Sequence, residues 1–207
     1  MVIEMKINNY LNKKKEFEFY VLNITKKTPD YNDIINVFLE SIIDPCVIEE
    51  KDYTLVLSSV YNNDVSLLVE AIVEDFGINL KVFRSNKIQI QNVNFIDELL
   101  NIYLKYKDQI NQNYIGVRSL VECIIDKNYN DLEKIKPIIL NKIINDHKLY
   151  EIINGMFVKD LNVCKTADYV YMHRNTINNK LIVIKEETGL DIQKFQDAVM
   201  LYVLIKK

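Results

Sequence analysis

Tryptophan is absent from this 207-residue chain, and arginine occurs only at Arg84, Arg118 and Arg174. Four glycines and three prolines argue against a glycine-rich phosphate loop and against long flexible linkers. The cysteines, Cys46, Cys123 and Cys164, are an odd, widely spaced set with no CxxC pair. They read as thiols of a reducing cytoplasm, not as a disulfide framework. The histidines, His147 and His173, stand at no ligand spacing to them, so no metal and no cofactor is expected. No apolar run approaches the roughly 20 residues that span a bilayer, and the N-terminus lacks a charged-then-apolar signal pattern. These absences predict a cytoplasmic chain with no membrane contact.

Strong charge of one sign is also missing. The net charge is −3, but residues 1–147 carry 17 basic and 22 acidic side chains, whereas residues 148–207 carry nine basic and seven acidic. An acidic body with a mildly basic end fits separate roles for the two parts. Nearly half of the residues, 49%, are hydrophobic, enough to build a real core. Asn, Ile, Lys and Tyr are abundant throughout, so their number means little and their positions must carry the reading.

Residues 17–24 are aromatic or β-branched and partly alternate, as a strand does. Thr28-Pro29-Asp30 predicts a turn and helix start, and apolar residues at 34, 35, 38, 39 and 42 follow at helical spacing, stopped by Pro45. Strands are predicted at 46–49 and 53–59, a helix at 65–76 capped by Gly77, and strands at 79–84 and 87–91. The order β-α-β-β-α-β with one extra strand predicts a ferredoxin-like α+β domain over residues 1–93. Helices are predicted at 95–110, 116–126 and 131–145, with Pro137 a kink or a first-turn residue, giving a helical connector over 94–147. These helices are too apolar to stand alone.

Residues 148–207 predict a third, all-α domain. A helix over 148–159 has one apolar stripe, Asn162 is a candidate N-cap, and 163–170 is a short second helix with small Ala167 facing inward. Tyr171-Met172 is the turn. A third helix opens at His173 and runs to about Thr188, with Ile177, Leu181 and Ile184 as its buried stripe and Gly189 closing it. Asp191 opens a fourth, with Ile192, Phe195, Val199 and Val203 inward. The third helix keeps Arg174, Asn175, Thr176, Asn178, Asn179 and Lys180 on its outer face. That is the residue set a major-groove helix needs, since Asn pairs adenine edges and Arg guanine edges. Lys165 and Lys180 are candidate phosphate contacts, and Thr166 is a candidate DNA-binding residue.

The run His173-Arg174-Asn175-Thr176-Ile177, with Leu181, Ile184 and the close Glu186-Glu187-Thr188-Gly189-Leu190, resembles the C-terminal helix-turn-helix of PucR-type regulators. That family includes the purine-catabolism and sugar-diacid regulators of bacteria. The resemblance implies a non-enzymatic transcriptional regulator whose partner is double-stranded DNA, with Lys165, Thr166, His173, Arg174, Asn175, Thr176, Asn178, Asn179 and Lys180 at the interface. It also implies a degenerate GGDEF-like domain upstream, although no such signature occurs here. Asn179-Lys180 departs from the Tyr-Arg usual before the leucine, and a Lys point charge replaces an Arg fork. An association as homodimer and a small-molecule effector on the first domain complete this expectation. The alternative is a degenerate regulator that acts through protein–protein contacts without strong DNA binding. The acidic pairs Glu49-Glu50, Glu74-Asp75 and Asp97-Glu98 fall at turns and helix ends and read as solvated carboxylates.

Overall fold

In the computed structural model the described residues are 2–12, 14–24, 31–59 and 64–206. Lys13, of the basic run 13–15, and the turn Thr28-Pro29-Asp30 lie outside them. The chain divides into two compact units, Met1–Gly116 and Val117–Lys207. The stretch read as a connector, 94–147, is therefore shared between them.

The first unit opens with α1 (Val2–Leu11), which the sequence reading did not foresee, followed by β1 (Glu16–Ile24), α2 (Tyr31–Glu40), β2 (Pro45–Glu49) and β3 (Thr54–Ser58). It continues with α3 (Ser66–Phe76), β4 (Leu80–Arg84), β5 (Ile88–Gln89), α4 (Phe95–Tyr106) and β6 (Tyr114–Ile115). The main sheet runs β2-β3-β1-β4-β6. β1 is antiparallel to β3 and to β4, and β3 is antiparallel to β2. That is the split β-α-β arrangement of a ferredoxin-like core, as predicted. The short β6 adds a parallel edge beside β4, and β5 pairs with the start of β1.

β1 is central, and every residue from Phe17 to Asn23 is buried. Alternate side chains serve opposite faces. Tyr20 and Leu22 pack with Ile34, Phe38, Val69 and Ile72 from α2 and α3. On the other side, Phe83 stacks on Tyr103 of α4 at 4.7 Å, and the Tyr103 hydroxyl donates to Asn23 Oδ1 at 2.8 Å. Burial drives the Tyr103 phenol well above its ordinary pKa, so it stays a neutral donor.

One charge pair lies inside this layer. Arg84 donates to Glu18 through Nε at 3.0 Å and through Nη2, and the Tyr20 hydroxyl donates to the same carboxylate at 2.8 Å. Both charged residues are buried. The cross-strand register Tyr20↔Arg84 places them together.

The second unit contains α5 (Val117–Lys127), α6 (Leu132–Ile139), α7 (Asn141–Asn145), α8 (His147–Val158), α9 (Val163–Tyr169), α10 (Arg174–Thr188) and α11 (Phe195–Lys206). The helix predicted over 131–145 is broken at Leu140, and Pro137 sits inside α6, past its first turn. The apolar faces of α5 to α7, through Leu120, Val121, Ile124, Ile135, Ile139 and Ile143, are buried. No helix among the described residues is long and apolar enough to cross a membrane.

Removing one member of a buried ion pair strands the other, which costs about 3–5 kcal/mol. Arg84→Met is expected to lose that much stability, and Glu18→Gln combined with Arg84→Met to recover at least half of it. Urea unfolding followed by hydrogen exchange of the β1 amides checks this.

Candidate nucleic-acid interface

The site is built on α8 to α11, whose ends are set by local hydrogen bonds. Asp146 Oδ1 accepts from the amides of Lys148 and Leu149 and starts α8. Asn162 Oδ1 accepts from the Lys165 amide at 3.0 Å and starts α9, as predicted. His173 stands one residue before α10, in extended conformation, and its Nδ1 accepts from the Asn175 amide at 3.2 Å. An imidazole that accepts at Nδ1 carries its proton at Nε2. His173 is thus the N-cap of α10, and its outer nitrogen is left as a donor.

Both interhelical turns are Schellman closures with unusual residues. The Leu161 amide reaches the Met156 carbonyl at 2.7 Å, and the Met172 amide reaches the Ala167 carbonyl at 2.9 Å. Left-handed backbone is taken by Asp160 and Leu161 in the first and by Tyr171, at φ 54°, in the second. Tyr171 is 96% exposed. At the end of α10 the chain does use glycine, Gly189 at φ 71°. There the Thr188 hydroxyl donates to the Ile184 carbonyl at 2.6 Å and accepts from the Leu190 amide at 3.1 Å. That geometry explains the Thr-Gly of the closing motif.

α8 and α9 meet at Gly155. A Cβ there would stand 3.1 Å from Thr166 Cγ2, 3.2 Å from Val170 Cγ1 and 3.3 Å from Tyr169 Cδ1. The close approach needs this glycine on α8 as well as the buried Ala167 on α9. It also corrects one candidate: Thr166 is fully buried, its methyl against Gly155 and its hydroxyl donating to Met156 Sδ at 3.4 Å. Thr166 is a packing residue and is not available to a phosphate.

The other candidates stand at the surface. Ile177, Leu181 and Ile184 are buried, whereas Arg174, Asn175, Thr176, Asn178 and Asn179 are exposed and Lys180 is half-buried. At about 100° per residue, Asn175 and Asn179 lie opposite the buried stripe, and Arg174 and Lys180 flank it. Lys165 is exposed on α9. Lys165, Arg174 and Lys180 make no ion pair among the described residues. The nearby acids Asp191 and Asp197 are engaged within the unit, Asp191 with Lys185 at 3.4 Å and Asp197 with Arg118 at 3.5 Å. Ile182, 57% exposed, lies on the same outer face and was missed because single apolar residues there leave no periodic signal.

α11 is a further correction. Asp191 opens a turn, accepting from the Gln193 amide at 3.2 Å and the Lys194 amide at 2.8 Å, and the helix begins only at Phe195. The phase shifts accordingly. Ile192, Ala198, Leu201 and Leu204 are buried, whereas Phe195 is 76% and Val199 37% exposed.

Comparison with known proteins finds a family match in the second unit. Residues 149–206 match the PucR C-terminal helix-turn-helix domain. That match places the domain among DNA-binding elements of transcriptional regulators. The chain is also similar to the crystal structure of a regulator of polyketide synthase expression from Bifidobacterium adolescentis. The identity is 13% and the TM-score 0.41, over 97% of this chain and 84% of that chain. A search of curated proteins finds no match. The matched residues span α8 to α11, with α9 and α10 joined by the turn at Tyr171.

Two stability outcomes follow from these turns. At Gly155, alanine gains about 1 kcal/mol of helix propensity and loses a similar amount to crowding, whereas valine adds only crowding. Calorimetry should give Gly155→Ala a near-unchanged midpoint and Gly155→Val one lower by about 5 °C or more. At Tyr171 the left-handed backbone costs an ordinary L-residue about 1–2 kcal/mol, which Asn tolerates better. Tyr171→Asn is expected to stabilise the unit by up to about 1 kcal/mol in urea titration.

Proposed function

We propose that this chain is a sequence-specific, non-enzymatic DNA-binding transcriptional regulator of PucR type. α10 enters the major groove, and Lys165, His173, Arg174, Asn175, Thr176, Asn178, Asn179 and Lys180 form the contact set. The observation that carries this reading is the two-sided α10, with an apolar rear sealed in the unit and a polar front turned to solvent, inside the residues that match a helix-turn-helix domain. Asn at the centre of the front suits base edges, and Arg174 and Lys180 at its flanks suit the two phosphate walls. The Nε2–H of His173 is a phosphate donor at the helix start.

The chain acts as a dimer in this reading. One short helix-turn-helix buries little surface, and paired half-sites raise both affinity and specificity. The N-terminal α+β unit then senses a metabolite or mediates association. The exposed front and its unpaired cations favour this over a regulator that works through protein contacts alone.

Arg174→Ala combined with Lys180→Ala removes two phosphate-neutralising charges. Duplex affinity at modest salt should fall at least tenfold, and the slope of log affinity against log salt should drop by about 2. The circular dichroism should be unchanged, since neither side chain is buried. Gel retardation across a salt series reads the first two, and far-ultraviolet circular dichroism the third. Unaltered binding would remove α10 as the groove helix.

A further inference from the structure

Asn175, Asn179 and Ile182 stand at i, i+4 and i+7 of α10, all exposed. Their spacing repeats that of the buried Ile177, Leu181 and Ile184 on the opposite side. They therefore form one straight outward stripe, the part of α10 farthest from its own core. With about 1.5 Å rise per residue the stripe is about 10 Å long, which covers roughly three base pairs. It ends one turn later at Glu186, a half-buried carboxylate that a phosphate-lined groove would repel.

Two side-chain chemistries occur on this stripe. Asn carries a donor and an acceptor that match adenine N7 and N6–H in a bidentate pair. Ile182, 57% exposed, carries only methyl groups and gains nothing from water. In the major groove one base-pair feature is apolar, the C5-methyl of thymine. An A·T pair presents both features, an amide-matching edge on one strand and a methyl on the other.

We infer that the stripe Asn175–Asn179–Ile182 reads A·T base pairs, with Ile182 as a specificity-determining residue that packs on a thymine methyl. This rests on the reading of α10 as the groove helix. Arg174 and Lys180, off the stripe, then serve the backbone and not the bases.

The test uses the full chain and duplex DNA. Binding sequences are first selected from a random duplex pool, and each thymine of the selected duplex is then replaced singly by deoxyuridine, which deletes the methyl and nothing else. At one or two positions the replacement should weaken the native chain about fourfold, the worth of one buried methyl. It should leave Ile182→Ala binding the thymine and deoxyuridine duplexes equally. Ile182→Val, which keeps two methyls, should retain most of the discrimination. Deoxyuridine tolerated at every position by the native chain would overturn the assignment, as would an equal penalty in Ile182→Ala. A selected sequence of G·C pairs would do the same. Failure to enrich any duplex would instead overturn the groove-helix reading, and this inference with it.

Discussion

The polar front of α10 exists because its rear is fixed. Ile177, Leu181 and Ile184 are buried where α10 packs on α7, α8 and α9. Each such side chain contributes about 1.5–3 kcal/mol. Turning the helix by one residue, about 100°, would expose that stripe and carry Asn178 or Thr176, according to the direction of the turn, toward the core with its amide or hydroxyl unpaired. The rotational setting is therefore worth several kcal/mol and does not depend on any ligand. The axial setting is held separately, by His173 at one end and by Thr188 and Gly189 at the other. A recognition surface needs both settings before it meets its target, since ordering on contact would subtract from affinity.

Much of this was legible in the sequence for a simple reason. Helical periodicity reports which side is buried, and the rear of α10 and the stripe of α8 are regular. Asn162 and Gly189 act through local backbone chemistry, which composition also reveals. The failures share a cause as well. α11 was read from Asp191, but three residues of turn intervene, so the apolar count began at the wrong angle and Phe195 and Val199 were placed inside. Thr166 was taken for a surface hydroxyl because its partner, the missing Cβ of Gly155, lies on another helix. In the N-terminal unit the order β-α-β-β-α-β came from alternation and turns. The two-residue β6 and the helix α1 escaped, since β6 is too short to alternate and α1 carries polar Asn8 and Asn9 within its pattern.

The N-terminal sheet shows the same logic with charge in place of methyl groups. Glu18 and Arg84 would be costly alone, yet the register of β1 and β4 brings them side by side with Tyr20 to complete the carboxylate's partners. A slip of one residue would move Glu18 to the opposite sheet face and separate the pair. Such a pair contributes little net stability over an apolar replacement, but it penalises every register except the native one. Sequence could place both residues in strands. It could not pair them, because register depends on the turns between.

A net charge of +2 over residues 148–207 looks too small for a polyanion ligand. The count misleads because charges that neutralise one another contribute little field at the front. Asp191 is taken by Lys185 and Asp197 by Arg118, which lies outside 148–207, so two acids and one base leave the account. Lys159 lies over the Tyr169 ring, 4.7 Å from its centroid. What α9 and α10 present outside these pairs is Lys165, Arg174 and Lys180 against Asp168, exposed near the end of α9, and Glu186, half-buried at the end of the outward stripe. Three to two is a small positive excess, and on the proposed reading of α10 it would hold a few phosphates without letting non-specific duplex outcompete base readout. For a helix whose centre is Asn and Ile rather than Lys and Arg, that reading puts the discrimination in the bases.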